Sequence, residues 1–168
     1  MVDLYCGAGG WTDAFLDKGW RVVGYDIYRH PAYRGELVLS NVLTLTAADL
    51  PAGTSLIVAS PPCEEFSRFQ MPWTRAKNPP EPDLRLAAKA FQLAEELGVP
   101  LILENVRMAQ RWLGPAVAHW GPFYLWGDGV PALLPAVNYR SKENYSSTWR
   151  AERAKIPADL ARWVAEVA

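Results

Sequence analysis

Cysteine is scarce: Cys6 and Cys63 are the only two in 168 residues, too few for a disulfide framework and without the spacing of a zinc site. No metal site is expected from any other spacing. Long apolar runs are missing too. No stretch of 18 apolar residues occurs and no signal peptide heads the chain, so a soluble, cytoplasmic protein without membrane association is expected. Excess charge is the third absence. Seventeen Lys and Arg against 18 Asp and Glu give a formal net charge of −1, so no global basic field announces nucleic acid. Binding of that kind must come from a local patch. Repeats and low-complexity segments are absent as well. What the chain does have is a 50% apolar composition with 21% charged residues, ordinary for a globular protein, and a length that suits one domain over 1–168. Eight tryptophans are many, and several fall in polar stretches where an aromatic face can stack on a base.

Strand and helix patterns alternate. Met1 to Cys6 reads as a strand and Gly7 to Gly10 as a tight turn. Trp11 to Lys18 has helical spacing closed by Gly19. Trp20 to Asp26, Leu37 to Leu39 and Leu56 to Ala59 read as the next strands, with a short helix or turn over Thr46 to Leu50. Asp83 to Leu97 is the clearest helix, with so narrow a polar line that it is expected to be largely buried. Val99 to Leu103 is a fifth strand, Met108 to Leu113 one or two helical turns, and Phe123 to Trp126 a sixth strand. Pro157 suits the first turn of a last helix running to Val167. The alternation predicts an α/β fold with a mainly parallel sheet and helices on both faces.

Three constellations carry chemistry. Asp3 to Gly10 joins strand to helix through Gly7, Ala8, Gly9 and Gly10, which lets a ligand approach the backbone. The dinucleotide spacing wants glycine at position 12, where Thr12 stands, so a phosphate cradle fits poorly. Asp26, about 20 residues on at a strand end, suits ribose hydroxyls. The second constellation is Pro61-Pro62-Cys63, a thiol in a loop stiffened by two prolines. The third is Glu104-Asn105-Val106 at the end of the next strand. In a parallel sheet all three lie on one edge, so cofactor turn, thiol and carboxylate are expected to converge in one cleft.

Asp3 to Gly10, Ser60 to Ser67 and Glu104 to Val106 together resemble the signature motifs of the DNA (cytosine-5)-methyltransferases, in sequence and in order. The Val22 to Asp26 strand resembles that family's ribose-binding segment, and Ile156 to Ala161 its last motif, which packs beside the cofactor. The resemblance implies a Rossmann-like, S-adenosylmethionine (SAM)-dependent enzyme. It implies cofactor contacts from Asp3, Tyr5, Gly7, Ala8, Gly9, Gly10, Asp26, Ile27, Asn41, Val42 and Pro61. Cys63 would attack cytosine C6, Glu104 would engage N3, and Asn105 would orient the Glu104 region. Pro62, Ser67 and Arg68 would face the substrate, a cytosine flipped out of duplex DNA, with the loop from Phe69 to Pro82 able to close over it. One branch of the family takes tRNA with the same motifs.

Departures from the family pattern are equally legible. A target-recognition domain of some size is normal between Trp126 and the last motif, and only about residues 127–155 are available. From Tyr139 to Lys155 that segment carries Arg140, Lys142, Arg150, Arg153 and Lys155 against Glu143 and Glu152, five minus two or +3, interleaved with Tyr139, Tyr145 and Trp149. Arg140, Lys142 and Arg150 are the candidate phosphate contacts. The Gln-x-Arg-x-Arg motif is not found before Phe123, with Arg107 and Arg111 nearby. Asn41 stands in place of an Asp that contacts adenine, which an amide can do by presenting its oxygen. So compact a chain resembles enzymes carried by phages and mobile elements, in restriction-modification settings, with a very short target or a protein partner supplying specificity.

Overall fold

The computed structural model describes residues 1–68, 81–136 and 155–168. Its strands are β1 (Val2–Leu4), β2 (Val23–Asp26), β3 (Glu36–Leu39), β4 (Ile57–Ala59), β5 (Leu101–Asn105), β6 (Ala118–Trp120) and β7 (Phe123–Trp126). Its helices are α1 (Gly10–Asp17), α2 (Glu64–Ser67), α3 (Arg85–Leu97), α4 (Gln110–Leu113) and α5 (Ala158–Val167). The strands form one sheet in the order β3-β2-β1-β4-β5-β7-β6. The first five are mutually parallel, and β7 pairs antiparallel with both β5 and β6. This is the mostly parallel α/β architecture that strand–helix alternation predicts, in the Rossmann-like form that the resemblance implies. The chain order reverses between β1 and β4, the place where such sheets open a crevice.

Side-chain alternation builds two cores, one per face. Val2, Leu4, Ile57, Ala59, Leu101 and Leu103 point to the face covered by α3. Met1, Leu56, Val58 and Ile102 point to the other, where Trp11 and Phe15 of α1 and Leu160 and Val164 of α5 cover them. By the same parity Ser60 and Glu104 fall on the α1 side and Asn105 on the α3 side.

Three expectations need correction. Helix α3 is not largely buried: Ala87, Ala90, Leu93 and Ala94 face the sheet, while Ala88 and Phe91 are exposed. Alanine is the best helix former wherever it stands, and a lone exposed aromatic on an outer face is ordinary. The fifth strand starts two residues later than expected and runs on through Glu104 and Asn105, so both are held in the ladder rather than in the loop beyond it. Finally, Phe123–Trp126 is half of a hairpin whose other strand, Ala118–Trp120, has too short a pattern to stand out from the sequence.

Two of the glycines held by close approach lie beside the turn after β1. At Gly10 a Cβ would lie 2.6 Å from the backbone nitrogen of Ile156, so the segment leading into α5 packs directly on the glycine turn. At Gly24 it would overlap the Tyr33 hydroxyl, which fills that space against Cys6.

Candidate active site at the carboxyl edge of the sheet

The turn after β1 is built around Asp3 and Asp26. Asp3 is buried, and its Oδ2 accepts the Thr12 hydroxyl at 2.6 Å. Burial pushes its carboxyl up to about 7, the Thr12 bonds opposing that rise, with Asp26 and Asp13 adding to it. Thr12, which breaks the dinucleotide spacing, therefore pins α1 to β1. Asp26 accepts the Gly7 amide on Oδ2 and the Tyr28 amide on Oδ1, both at 3.0 Å. It straps the glycine turn to the end of β2, and each oxygen keeps a lone pair for a ligand hydroxyl. Tyr5 sits at φ 61, left-handed backbone that a tyrosine adopts at a cost of about 1–3 kcal/mol. Its hydroxyl donates to the Leu86 carbonyl of α3 at 2.8 Å, which ties the strained turn to the helix.

A cleft of about 220 Å³ opens above this turn. Tyr5, Asp26, Ile27, Tyr28, Ser40, Asn41, Val42, Ser60, Pro62 and Leu86 line it, drawn from the carboxyl ends of β1, β2, β3 and β4 and from the start of α3. Of the expected cofactor residues, Tyr5, Asp26, Ile27, Asn41 and Val42 reach it, as does Pro62, expected on the substrate side. Gly7 sits beside it, held by Asp26. Asp3, Ala8, Gly9 and Pro61 are buried and do not line the cleft, and Gly10 lies under Ile156. The Asn41 oxygen is already engaged, accepting the Leu43 amide at 3.1 Å, so its second lone pair and its NH2 group are what remain for a ligand.

Beside the cleft stand the thiol and the acid. Cys63 precedes the single turn of α2, half-buried, with the Ser67 hydroxyl bonded to its sulfur. Burial raises its thiol, the Ser67 bond works the other way, and the charges of Glu104 and Glu64 raise it further. Glu104, at the end of the adjacent strand, is pushed up to about 7 by desolvation, with a Ser60 hydrogen bond opposing. Asn105 is buried below. Its Nδ2 donates to the Pro61 carbonyl at 2.9 Å, and its Oδ1 accepts the Val106 amide at 2.9 Å. The expected orienting role thus takes a specific form: Asn105 grips the proline–cysteine loop as well as its own strand end. Arg68 pairs with Glu65, whose other oxygen accepts the Asp83 amide at the entry to α3. Arg140, Lys142 and Arg150, and most of the expected closing loop, lie outside the described residues.

Sequence reasoning missed Trp11, Tyr28, Ser40 and Leu86 as parts of this region, and placed Ser60 in the proline–cysteine motif without giving it a role. Ser60 was within reach, standing next to Pro61; the backbone carbonyl of Leu86 has no sequence signal.

No family model matches the chain, and no curated protein does. Solved structures do resemble it. A chain described as a DNA modification methyltransferase encoded within an E. coli prophage is 23% identical, with a TM-score of 0.47 over 67% of this chain. A variant of DNMT2 from Spodoptera frugiperda is 25% identical, with a TM-score of 0.41 over 63%. The present chain spans only about a third of either: 33% of the first and 35% of the second.

Proposed function

We propose that this protein is a SAM-dependent methyltransferase acting at C5 of cytosine in DNA. One observation carries the reading: a thiol and a carboxylic acid, Cys63 and Glu104, stand just beyond and at the ends of the paired strands β4 and β5, beside a cleft formed at the switch point of the sheet. The cleft suits a nucleoside-bearing cofactor. Asp26 offers two carboxylate oxygens for ribose hydroxyls, and Ile27, Val42 and Leu86 with the Tyr5 ring offer apolar wall for a purine. SAM bound there supplies an electrophilic methyl group.

The residues of the chain do the rest. C5 of cytosine is too weak a nucleophile by itself. After the Cys63 thiol has lost its proton to solvent, the thiolate adds to C6, forming a C–S bond and sending the C5–C6 π pair to C5, while Glu104 donates its proton to N3 so that no charge builds on the ring. Once C5 is methylated, its proton leaves to water, the C5–C6 double bond re-forms, and the C–S pair returns to sulfur. N3 gives its proton back to Glu104. The electrostatics favour this division of labour. Glu104 near 7 carries a proton in a large fraction of molecules at neutral pH, and once protonated it no longer opposes the Cys63 thiolate.

The test is a trap. Duplex DNA bearing 5-fluorocytosine, incubated with protein and SAM, has no C5 proton to lose, so a working enzyme stays bonded through Cys63. A shifted band on denaturing electrophoresis that Cys63→Ser abolishes is the expected result. A band on fluorinated tRNA but not on DNA would move the substrate to RNA. No adduct on either, with SAM bound, would refute the catalytic reading.

A further inference from the structure

The indole of Trp11 is fully buried in the core under α1, yet its one polar atom is aimed at the site: Nε1 donates to the Ser60 Oγ at 3.1 Å. Ser60 and Glu104 each follow by one residue the paired Ala59 and Leu103 of β4 and β5, so hydroxyl and carboxyl stand side by side on this face, where the hydroxyl works against the rise in the acid's pKa that burial causes. All three residues lie on the same face of the sheet by strand parity, Ser60 two residues after Val58 and Glu104 two after Ile102. The direction of this chain is set by chemistry. An indole nitrogen only donates, an ionised carboxylate only accepts, and a hydroxyl has one hydrogen. With one Ser60 lone pair taken by Trp11, the hydroxyl hydrogen is free to point at Glu104.

We propose that Trp11 and Ser60 are positioning residues for Glu104, a one-way donor relay that holds one carboxyl oxygen so that any proton Glu104 carries resides on the other, free to meet the base. Trp11 acts entirely through Ser60, being out of reach of any ligand. Ser60 also lines the cleft, so the same hydroxyl borders the cofactor region and the acid. The titratable group facing Glu104 across the rim is Cys63, whose thiol Glu104 and Glu64 of α2 both raise; Trp11, from α1, brings no charge. The relay is a statement about geometry, and its catalytic consequence rests on the methyltransferase reading above.

Two measurements keep the two apart. Carbon-13 NMR of glutamate-labelled protein, with Glu104 assigned by its loss in Glu104→Gln, follows the Glu104 titration without any substrate. Ser60→Ala removes the donor to the carboxylate and should move the midpoint upward by about one pH unit. Trp11→Phe, which keeps a ring in the core, should move it the same way by less, and Ser60→Thr should restore the wild-type value. An unchanged midpoint in folded Ser60→Ala overturns the relay. The second measurement is the rate of the fluorocytosine adduct against pH. Ser60→Ala should lower the plateau rate about tenfold and move the alkaline limb up with the midpoint. A shifted midpoint with an unaltered rate profile would overturn the positioning role. A wild-type protein that makes no adduct would sink the methyltransferase reading, leaving the relay to stand or fall on the titration.

Discussion

Asn105→Ala tests how the proline–cysteine loop is held. The wild-type amide makes two bonds, Nδ2 to the Pro61 carbonyl and Oδ1 from the Val106 amide, each 2.9 Å, in a position with 1% exposure. Truncation removes both. Each lost bond costs about 1–1.5 kcal/mol, and the buried Pro61 carbonyl then lacks the partner it had in Nδ2. The sum is about 3 kcal/mol, a loss of about 9 °C in melting temperature for a domain this size. Urea unfolding reads the stability, with an unchanged m-value showing that the unfolded state is the same. Site-specific alkylation of Cys63, read by mass spectrometry, reports the loop itself: with Pro61 released, the thiol should react several-fold faster, while buried Cys6 stays protected. Stability within 1 kcal/mol of wild type and an unaltered alkylation rate would refute the argument, because the two prolines would then be sufficient to fix the loop.

Two further outcomes are expected. Asp3 titrates near 7 when folded, above the ordinary carboxylate range, so between about pH 4 and pH 7 the native state keeps a proton that the unfolded chain has released. Wild-type stability should fall across that window as pH rises, by at most about 4 kcal/mol from this group; Asp3→Asn, which retains an acceptor for Thr12, should lack that part of the fall in parallel urea titrations. Replacing Arg140, Lys142 and Arg150 together by alanine should weaken nonspecific duplex binding and reduce the slope of log affinity against log salt by about 2–3, whereas an unchanged slope would place the phosphate contacts elsewhere.

How much of the site the sequence carried depends on whether the physics is local. Gly7 to Gly10 announce a turn because Gly7 and Gly9 take a positive φ that most side chains disfavour, and Pro61-Pro62-Cys63 announces a stiff loop because proline limits its own φ and its neighbour's. Alternating strands and helices then place the ends of β1, β2, β4 and β5 on one edge, since a parallel sheet permits little else. Fold class and the placement of Cys63 and Glu104 at one edge of the sheet were therefore legible before any coordinates. What each of those residues touches was not. Asp26 suggested a ribose ligand, and only the folded chain shows it strapping the Gly7 and Tyr28 amides. Thr12 looked like a departure from a pattern until Asp3 was found beneath it. The exposed side of α3 misled because an apolar stripe records what a helix could bury, while the neighbouring elements decide what it does bury. Trp11, Ser60 and Glu104 are separated by dozens of residues, and no local rule links them. Their contact arises because β4 and β5 pair side by side and α1 crosses the same face, and closure of that packing over long sequence separations is information that only the tertiary structure holds.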